Sequence, residues 1–224
     1  SQLDRRGFLR RFRESVSVAT LRERPLAVAV LYIEEIADIA QIVATRTSDQ
    51  VMSTALARLP APDDAAVRGS PDWYLGQLGE NLLALVVESG DRKAVEGCVA
   101  DVCASLREPI PVGDAEFRLT PYAGVGILGV DSSRPRVLLD HARAAAAEAR
   151  RAASRDVFFY SDTMRLRSIA RMDIARELRE AIASRAIRLR YVARHDLRTG
   201  RRVAWVGYVR WLHPLLSLIH ISEP

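Results

Sequence analysis

Cysteine, histidine, lysine and aromatic residues are all scarce in this chain. Its 224 residues include 2 cysteines, 4 histidines and 6% aromatics, and Lys93 is the one lysine among 33 cationic side chains. Two cysteines cannot build the disulfide framework of a small secreted scaffold. Cys98 and Cys103 stand five positions apart in a helical-looking stretch, a spacing that does not bring their side chains face to face. They are expected to be core thiols in a reducing compartment. The scattered histidines offer no second ligand pair for a zinc site. No apolar run approaches the ~20 residues that span a bilayer, and no opening stretch has the order of a signal peptide. The expectation is a cytoplasmic segment without membrane contact, any anchor lying upstream on a longer parent.

The remaining composition is ordinary for a globular chain: 49% hydrophobic and 27% charged residues. The net charge of +5 is unevenly spread. Residues 1–164 carry 20 cations against 23 carboxylates, and residues 165–224 carry 13 against 5. The larger part is slightly acidic, and apolar strand patterns interrupt the basic part. Nucleic acid is therefore not an expected partner.

Periodicity divides the chain. Phe8, Leu9, Phe12 and Val16 form a helical stripe ended by Pro25. The apolar run Leu26–Ile33 reads as a strand buried on both faces. Glu34 to Leu59 returns to helical period, with a break near Thr45–Ser48. Residues 60–71 hold three prolines and Gly69 and read as loop. Trp73–Leu78 and Asn81–Glu88 read as two strands joined at Gly79-Glu80. A helix is expected over Arg92–Arg107, one strand over Glu116–Val130, an alanine-rich helix over Arg136–Arg155 and a short strand over Val157–Tyr160. This order implies a ferredoxin-like α/β sandwich. A connector with helical character over Ser161–Met172, a helix over Asp173–Ser184 and strands Arg188–Arg194 and Arg202–Trp211 complete the chain. This last piece is too short for a domain.

A series of motifs now resembles a known pair of modules. Asp4-Arg5-Arg6-Gly7-Phe8-Leu9 is similar to the opening helix of a GGDEF domain after its LTGLPNR signature, whose LTGL part is missing here. Leu26–Ile39 resembles the first strand and the DLDxFKxIND segment. Ser48–Met52 resembles GDxLL, Leu78–Leu82 stands at GGDEF and Tyr122–Gly126 at SIGIA. Leu189-Arg190-Tyr191 and Asp196–Gly200 resemble the LxYQPIVDLxTG of an EAL domain, and Val206–Pro214 resembles EALxRWxHP. The resemblance implies a GGDEF sandwich of the nucleotidyl-cyclase-like kind over 1–163. Over 164–214 it implies a connector with the first helix and two strands of a truncated EAL-type β/α barrel. Residues 215–224, LLSLIHISEP, fit no barrel pattern and are expected to be a non-native tail.

These are the modules that make and hydrolyse cyclic di-GMP, and the resemblance assigns a role to each position. The first metal carboxylate of the GGDEF site is replaced by Tyr32, whose phenol is a poor Mg²⁺ ligand at neutral pH. Glu34 lies two residues on, on the same strand face. Leu78 replaces the first glycine of the motif, where it is expected to crowd the approach of phosphates. Gly79 keeps the second glycine, Glu80 keeps the second metal carboxylate, and Asn81 has lost a charge. Of the two guanine-contacting positions, Ala40 has lost its amide and Asp49 keeps a carboxylate. Arg150 stands near the phosphate-contacting lysine. Asp72 is a remnant of the RxxD inhibitory site, with Gly69 at the arginine position and Arg68 beside it. In the EAL motif Val206 replaces the metal-binding glutamate, Val192 replaces the glutamine of YQP, and Arg210 keeps the phosphate-contacting arginine. His213, Trp205 and Trp211 are expected to be structural. For Glu80 and Asp49, a hairpin-turn acid and a helix cap stay open as readings.

The expectation is a protein without catalytic activity and without a bound metal. It would act in cyclic di-GMP signalling as a scaffold or cyclic di-GMP receptor. The alternative is a GTP-binding regulatory module, with Mg-GTP held through Asp49 and Glu80, that controls a phosphodiesterase. Cyclic di-GMP or GTP, signalling proteins and a second copy of the chain are the implied partners.

Overall fold

A computed structural model describes residues 3–43, 45–59, 71–211 and 219–221. The chain divides into two compact units, 1–165 and 166–224. The first begins with α1 (Arg5–Leu21), β1 (Ala27–Ile33), α2 (Glu35–Ile42) and α3 (Thr45–Ala57). Next come β2 (Trp73–Gly79), β3 (Leu82–Val87), α4 (Arg92–Arg107), β4 (Ile110–Val112) and β5 (Ala115–Phe117). β6 (Pro121–Ile127), α5 (Pro135–Arg151) and β7 (Phe158–Phe159) close it. The main sheet runs β2-β3-β1-β6-β7, antiparallel except for the β6–β7 pair. Its first four strands have the ferredoxin-like order.

β1 is apolar throughout because both of its faces are covered. Ala27, Ala29, Leu31 and Ile33 pack in one cluster with Ile36 of α2, Val51 of α3 and Val99 of α4. Val28 and Val30 pack in the other, with Phe8 and Phe12 of α1 and Leu138 and Ala142 of α5. The stripe on α1 is thus a core face, capped at its start by Asp4, whose carboxylate accepts the Gly7 N–H at 2.7 Å. The alanines of α5 have a steric reason. A Cβ placed on Gly124 of β6 would lie 1.9 Å from the Ala146 nitrogen and 2.4 Å from the Ala142 oxygen.

The long strand expected over 116–130 is two things. β4 and β5 form a separate hairpin around Gly113-Asp114, with Gly113 at φ +62°, and β6 starts only at Pro121. Glycine at the first central position permits this tight turn, and proline removes a ladder donor where a continuous strand would need one. The β2–β3 turn lies at Glu80-Asn81, one residue later than expected, with a register irregularity between Gln77 and Gly79. The α5 helix ends at Arg151, with Ala153 left-handed at φ +47° and the Ser154 N–H donating to the Ala149 oxygen at 3.1 Å.

The expected connector 161–172 is helical and runs unbroken into the helix expected after it, as α6 (Asp162–Ala183). In the second unit, β8 (Ile187–His195), β9 (Arg202–Trp211) and β10 (Ile219–Ile221) form an antiparallel sheet in the order β10-β9-β8. Asp196 organises the β8–β9 turn: its carboxylate accepts the N–H groups of Arg198 and Thr199, each at 2.8 Å. No strand–helix–strand crossover of a β/α barrel occurs among the described residues of this unit. Trp211 is buried as expected. Trp205 is 57% exposed, with the Arg202 guanidinium 4.8 Å from its ring centre. Arg68, Gly69, His213 and most of the 215–224 tail lie outside the described residues. Among the described residues no helix is long and apolar enough to cross a membrane.

Candidate functional site

β1 delivers Tyr32 and α5 delivers Arg150 to the same end of the sheet, with Glu34 between β1 and α2. Tyr32 and Glu34, the latter just past the end of β1, both meet Arg150 of α5. The Arg150 guanidinium lies 4.3 Å from the centre of the Tyr32 ring. Its Nε and terminal nitrogen both donate to one oxygen of Glu34, at 3.1 and 2.7 Å. Glu34 thereby holds the Arg150 guanidinium above its ordinary pKa, with Tyr32 and Tyr122 also favouring the charged form. Tyr122 stands directly across from Tyr32 in the β1–β6 ladder. Motif position alone gives Tyr122 no role; an aromatic on β6, paired with the strand that carries the site, is the signal that could find it. Glu35 ties the neighbouring loop down by accepting the Thr120 N–H at 2.9 Å.

This donor set does not fit a divalent cation. One position offers a phenol, and the nearby carboxylate is already occupied by a guanidinium. Like charge would place Mg²⁺ beside Arg150 at a cost. Among the described residues no group of three or more His, Cys, Asp or Glu could hold a metal ion.

The other positions are more scattered. Glu80 and Asn81 form the β2–β3 turn, Glu80 exposed and its backbone oxygen accepting from the Gln77 side chain at 3.5 Å. The Asn81 oxygen accepts the Ile33 N–H at 2.9 Å, which joins this turn to the end of β1. Gly79 is exposed at the strand end, and a Cβ there would make only ordinary contact with Leu82. Leu78 does not crowd a phosphate approach: it is buried in the apolar cluster with Phe8, Phe12 and Tyr74. The register irregularity between Gln77 and Gly79 accompanies that inward turn. Ala40 is half-buried on α2. Asp49 is exposed one turn inside α3 and is not a helix cap. No hydrogen bond or ion pair joins Asp49 to Glu80 among the described residues. Asp72 is exposed just before β2, its backbone oxygen accepting the Glu88 N–H at 2.8 Å.

In the second unit, Val192 and Val206 stand directly opposite each other on β8 and β9. Arg190, Val192, Tyr208 and Arg210 line one open groove of about 440 Å³. The hairpin thus places Arg210 on the same face as Val192 and Val206.

Cys98 and Cys103 are buried on α4, and burial pushes their thiols up to about 11 and about 12. They belong to the core, not to a site.

No protein-family model matches the chain. An uncharacterized protein of Mycobacterium tuberculosis is 27% identical over 195 residues, 87% of this chain and 30% of that protein. One from Synechocystis is 23% identical over 194 residues, 87% of this chain and 27% of that protein. The chain thus spans less than a third of these relatives, and each match is longer than the first unit alone. Among solved structures, the GGDEF domain of YfiN from Pseudomonas aeruginosa superimposes with a TM-score of 0.62 at 19% identity, over 72% of this chain and 98% of that one. The GGDEF domain of DgcB from Caulobacter crescentus, in complex with c-di-GMP, gives 0.59 at 14% identity, over 70% and 88%. Diguanylate cyclase SiaD in complex with its activator SiaC, from Pseudomonas aeruginosa, gives 0.58 at 17% identity, over 70% and 58%. With β1, β6 and α5 framing the Tyr32–Glu34–Arg150 cluster, the α/β sandwich of this chain has the fold of GGDEF domains.

Proposed function

We propose that this chain works in cyclic di-GMP signalling without making the messenger, as a scaffold or, through its second unit, as a cyclic di-GMP receptor. The observation that carries the reading is the closed cluster of Tyr32, Glu34 and Arg150. Joining two GTP molecules requires carboxylates that hold Mg²⁺ and a free cation for the phosphates. Here the first metal position is an aromatic platform, and the cation is spent on a neighbouring carboxylate. The matches to longer relatives support a parent with further modules, for which the EAL-like strand motifs propose a cyclic di-GMP-binding barrel. Arg210 is then the phosphate contact, with its groove on the β8–β9 hairpin.

The test is to incubate the purified chain with GTP and Mg²⁺ or Mn²⁺ and look for cyclic di-GMP. None is expected, and any enzyme-dependent accumulation overturns the reading. Calorimetric titration with cyclic di-GMP then separates receptor from scaffold: binding that disappears in Arg210→Ala supports the receptor. Tight Mg-GTP binding that is lost in Glu80→Ala would replace both with the GTP-regulated module.

A further inference from the structure

A second, separate feature lies at the other end of α5. The first halves of α1 and α5 border a groove of about 500 Å³. Arg5 and Arg13 enter it from α1, Arg136 and Arg143 from α5, and Leu9 and Leu139 give it an apolar floor. Among the described residues Asp140 is the one carboxylate in its lining, and it lies 3.8 Å from Arg143. Arg5, Arg13 and Arg136 make no ion pair among the described residues. The Nε of Arg143 is buried and has no hydrogen-bond partner among them. At a rise of ~1.5 Å per residue, Leu139 and Arg150 stand about 16 Å apart along α5, so this groove is not the Tyr32 cluster.

The charge placement runs against the helices that carry it. A helix N-terminus is the positive end of the macrodipole and favours carboxylates. Neither α1 nor α5 has an acidic residue in its first turn. Instead Arg5 and Arg6 open α1, while Arg134 and Arg136 flank the start of α5. The α1 end is capped by the Asp4 carboxylate, whereas Arg134 at the start of α5 makes no side-chain cap. Four guanidiniums therefore line one cavity beside the uncapped start of α5, with Asp140 the carboxylate among its described lining, and an uncapped helix N-terminus is a good anion site.

We propose that this groove binds a nucleoside polyphosphate, with its phosphates among the arginines and its base against Leu9 and Leu139. Guanidinium forks suit phosphate oxygens and also stack on planar rings. A cavity of this volume suits one small molecule. An extended polynucleotide would need a longer basic track, and residues 1–164 carry more carboxylates than cations. Bare phosphate or pyrophosphate would leave the apolar floor unused.

The test is fluorescence anisotropy of the intact chain with methylanthraniloyl-labelled GTP, competed by unlabelled GTP, ATP and pyrophosphate. The double variant Arg13→Glu/Arg143→Glu should weaken binding at least tenfold, and Arg118→Gln, at an exposed arginine just after β5, should not change it. A second pair, Arg5→Gln/Arg136→Gln, removes like charge from the helix ends. It should bind at least fivefold more weakly while melting no lower than the parent, so that lost binding is not lost folding. Pyrophosphate should compete at least tenfold less well than either nucleotide. Absence of binding, binding indifferent to both pairs, or pyrophosphate competing as well as nucleotide overturns the proposal.

Discussion

Gly124 is the residue on which the closest approach in the fold depends. Added Cβ atoms rarely meet backbone at 1.9 Å, and here three backbone atoms of α5 lie within 2.5 Å. A side chain cannot rotate away from such a clash, so the whole helix must lift from β6. Overpacking a core usually costs about 1–3 kcal/mol, and Gly124→Ala should sit at or above the top of that range. Urea denaturation followed by far-UV circular dichroism checks it; a midpoint equal to the parent's refutes the close contact. Glu34→Gln should behave oppositely. Its ion pair with Arg150 is nearly half exposed on both sides, and such pairs contribute about 0.2–1 kcal/mol. Its loss should move the same midpoint only slightly. Tyr32, Glu34 and Arg150 are each legible in the sequence, but their closure is not, because the cluster joins residues 116 positions apart. Leu78 is deceptive for a related reason: the motif names the position, while the strand irregularity decides which way its side chain turns.

Elements with one dominant period are legible in full. The run Leu26–Ile33 has two covered faces, and α4 is bounded to the residue by Asp91 before it and Pro109 after it. Asp91 accepts the Ala94 N–H at 2.9 Å and Arg107 closes the last turn, both in the sense the macrodipole favours. Asp91→Ala should therefore destabilise the first unit by about 1 kcal/mol, and Asp91→Asn, which keeps the acceptor, by less. Paired thermal melts decide this: equal losses in both variants would show that the cap contributes through its charge alone. The hairpin β4–β5 escapes the sequence pattern because two three-residue strands give too few alternations to distinguish from a neighbouring apolar run. The continuity of α6 is hidden because its first half is rich in arginine and carries a weak stripe. In the second unit the hairpin is legible from Asp196 and Gly200, whose turn chemistry is local. The expected barrel start is seen among the described residues only as an antiparallel sheet of β8, β9 and β10.

At the scale of the whole molecule, the scarcity of lysine makes alkaline stability unusually easy to interpret. Arginine stays protonated beyond pH ~12, so few groups titrate between neutrality and that point besides thiols and phenols. Burial raises Cys98 from 9.0 to about 11 and Cys103 from 9.0 to about 12. Burial likewise raises Tyr74 from 10.0 to about 12, outweighing its hydrogen bond to Ser15. In the unfolded chain these three groups lose their protons at the lower, ordinary values. As pH climbs from about 9, the unfolded state therefore releases protons that the folded state still holds, and linkage drains stability. The contribution is complete below pH 9 and falls away as pH rises toward about 12. The urea midpoint of the first unit should accordingly be level from about pH 7 to 8.5 and decline steadily from about pH 9 to 11. Cys103→Ala lowers the starting midpoint by leaving a cavity but should flatten the decline, since one of the three groups no longer titrates. A decline equally steep in that variant would mean that the thiol is not shielded on α4. A midpoint that holds level to about pH 11 in the parent would mean that neither thiol nor phenol is buried as the packed sheet and its two helical layers require.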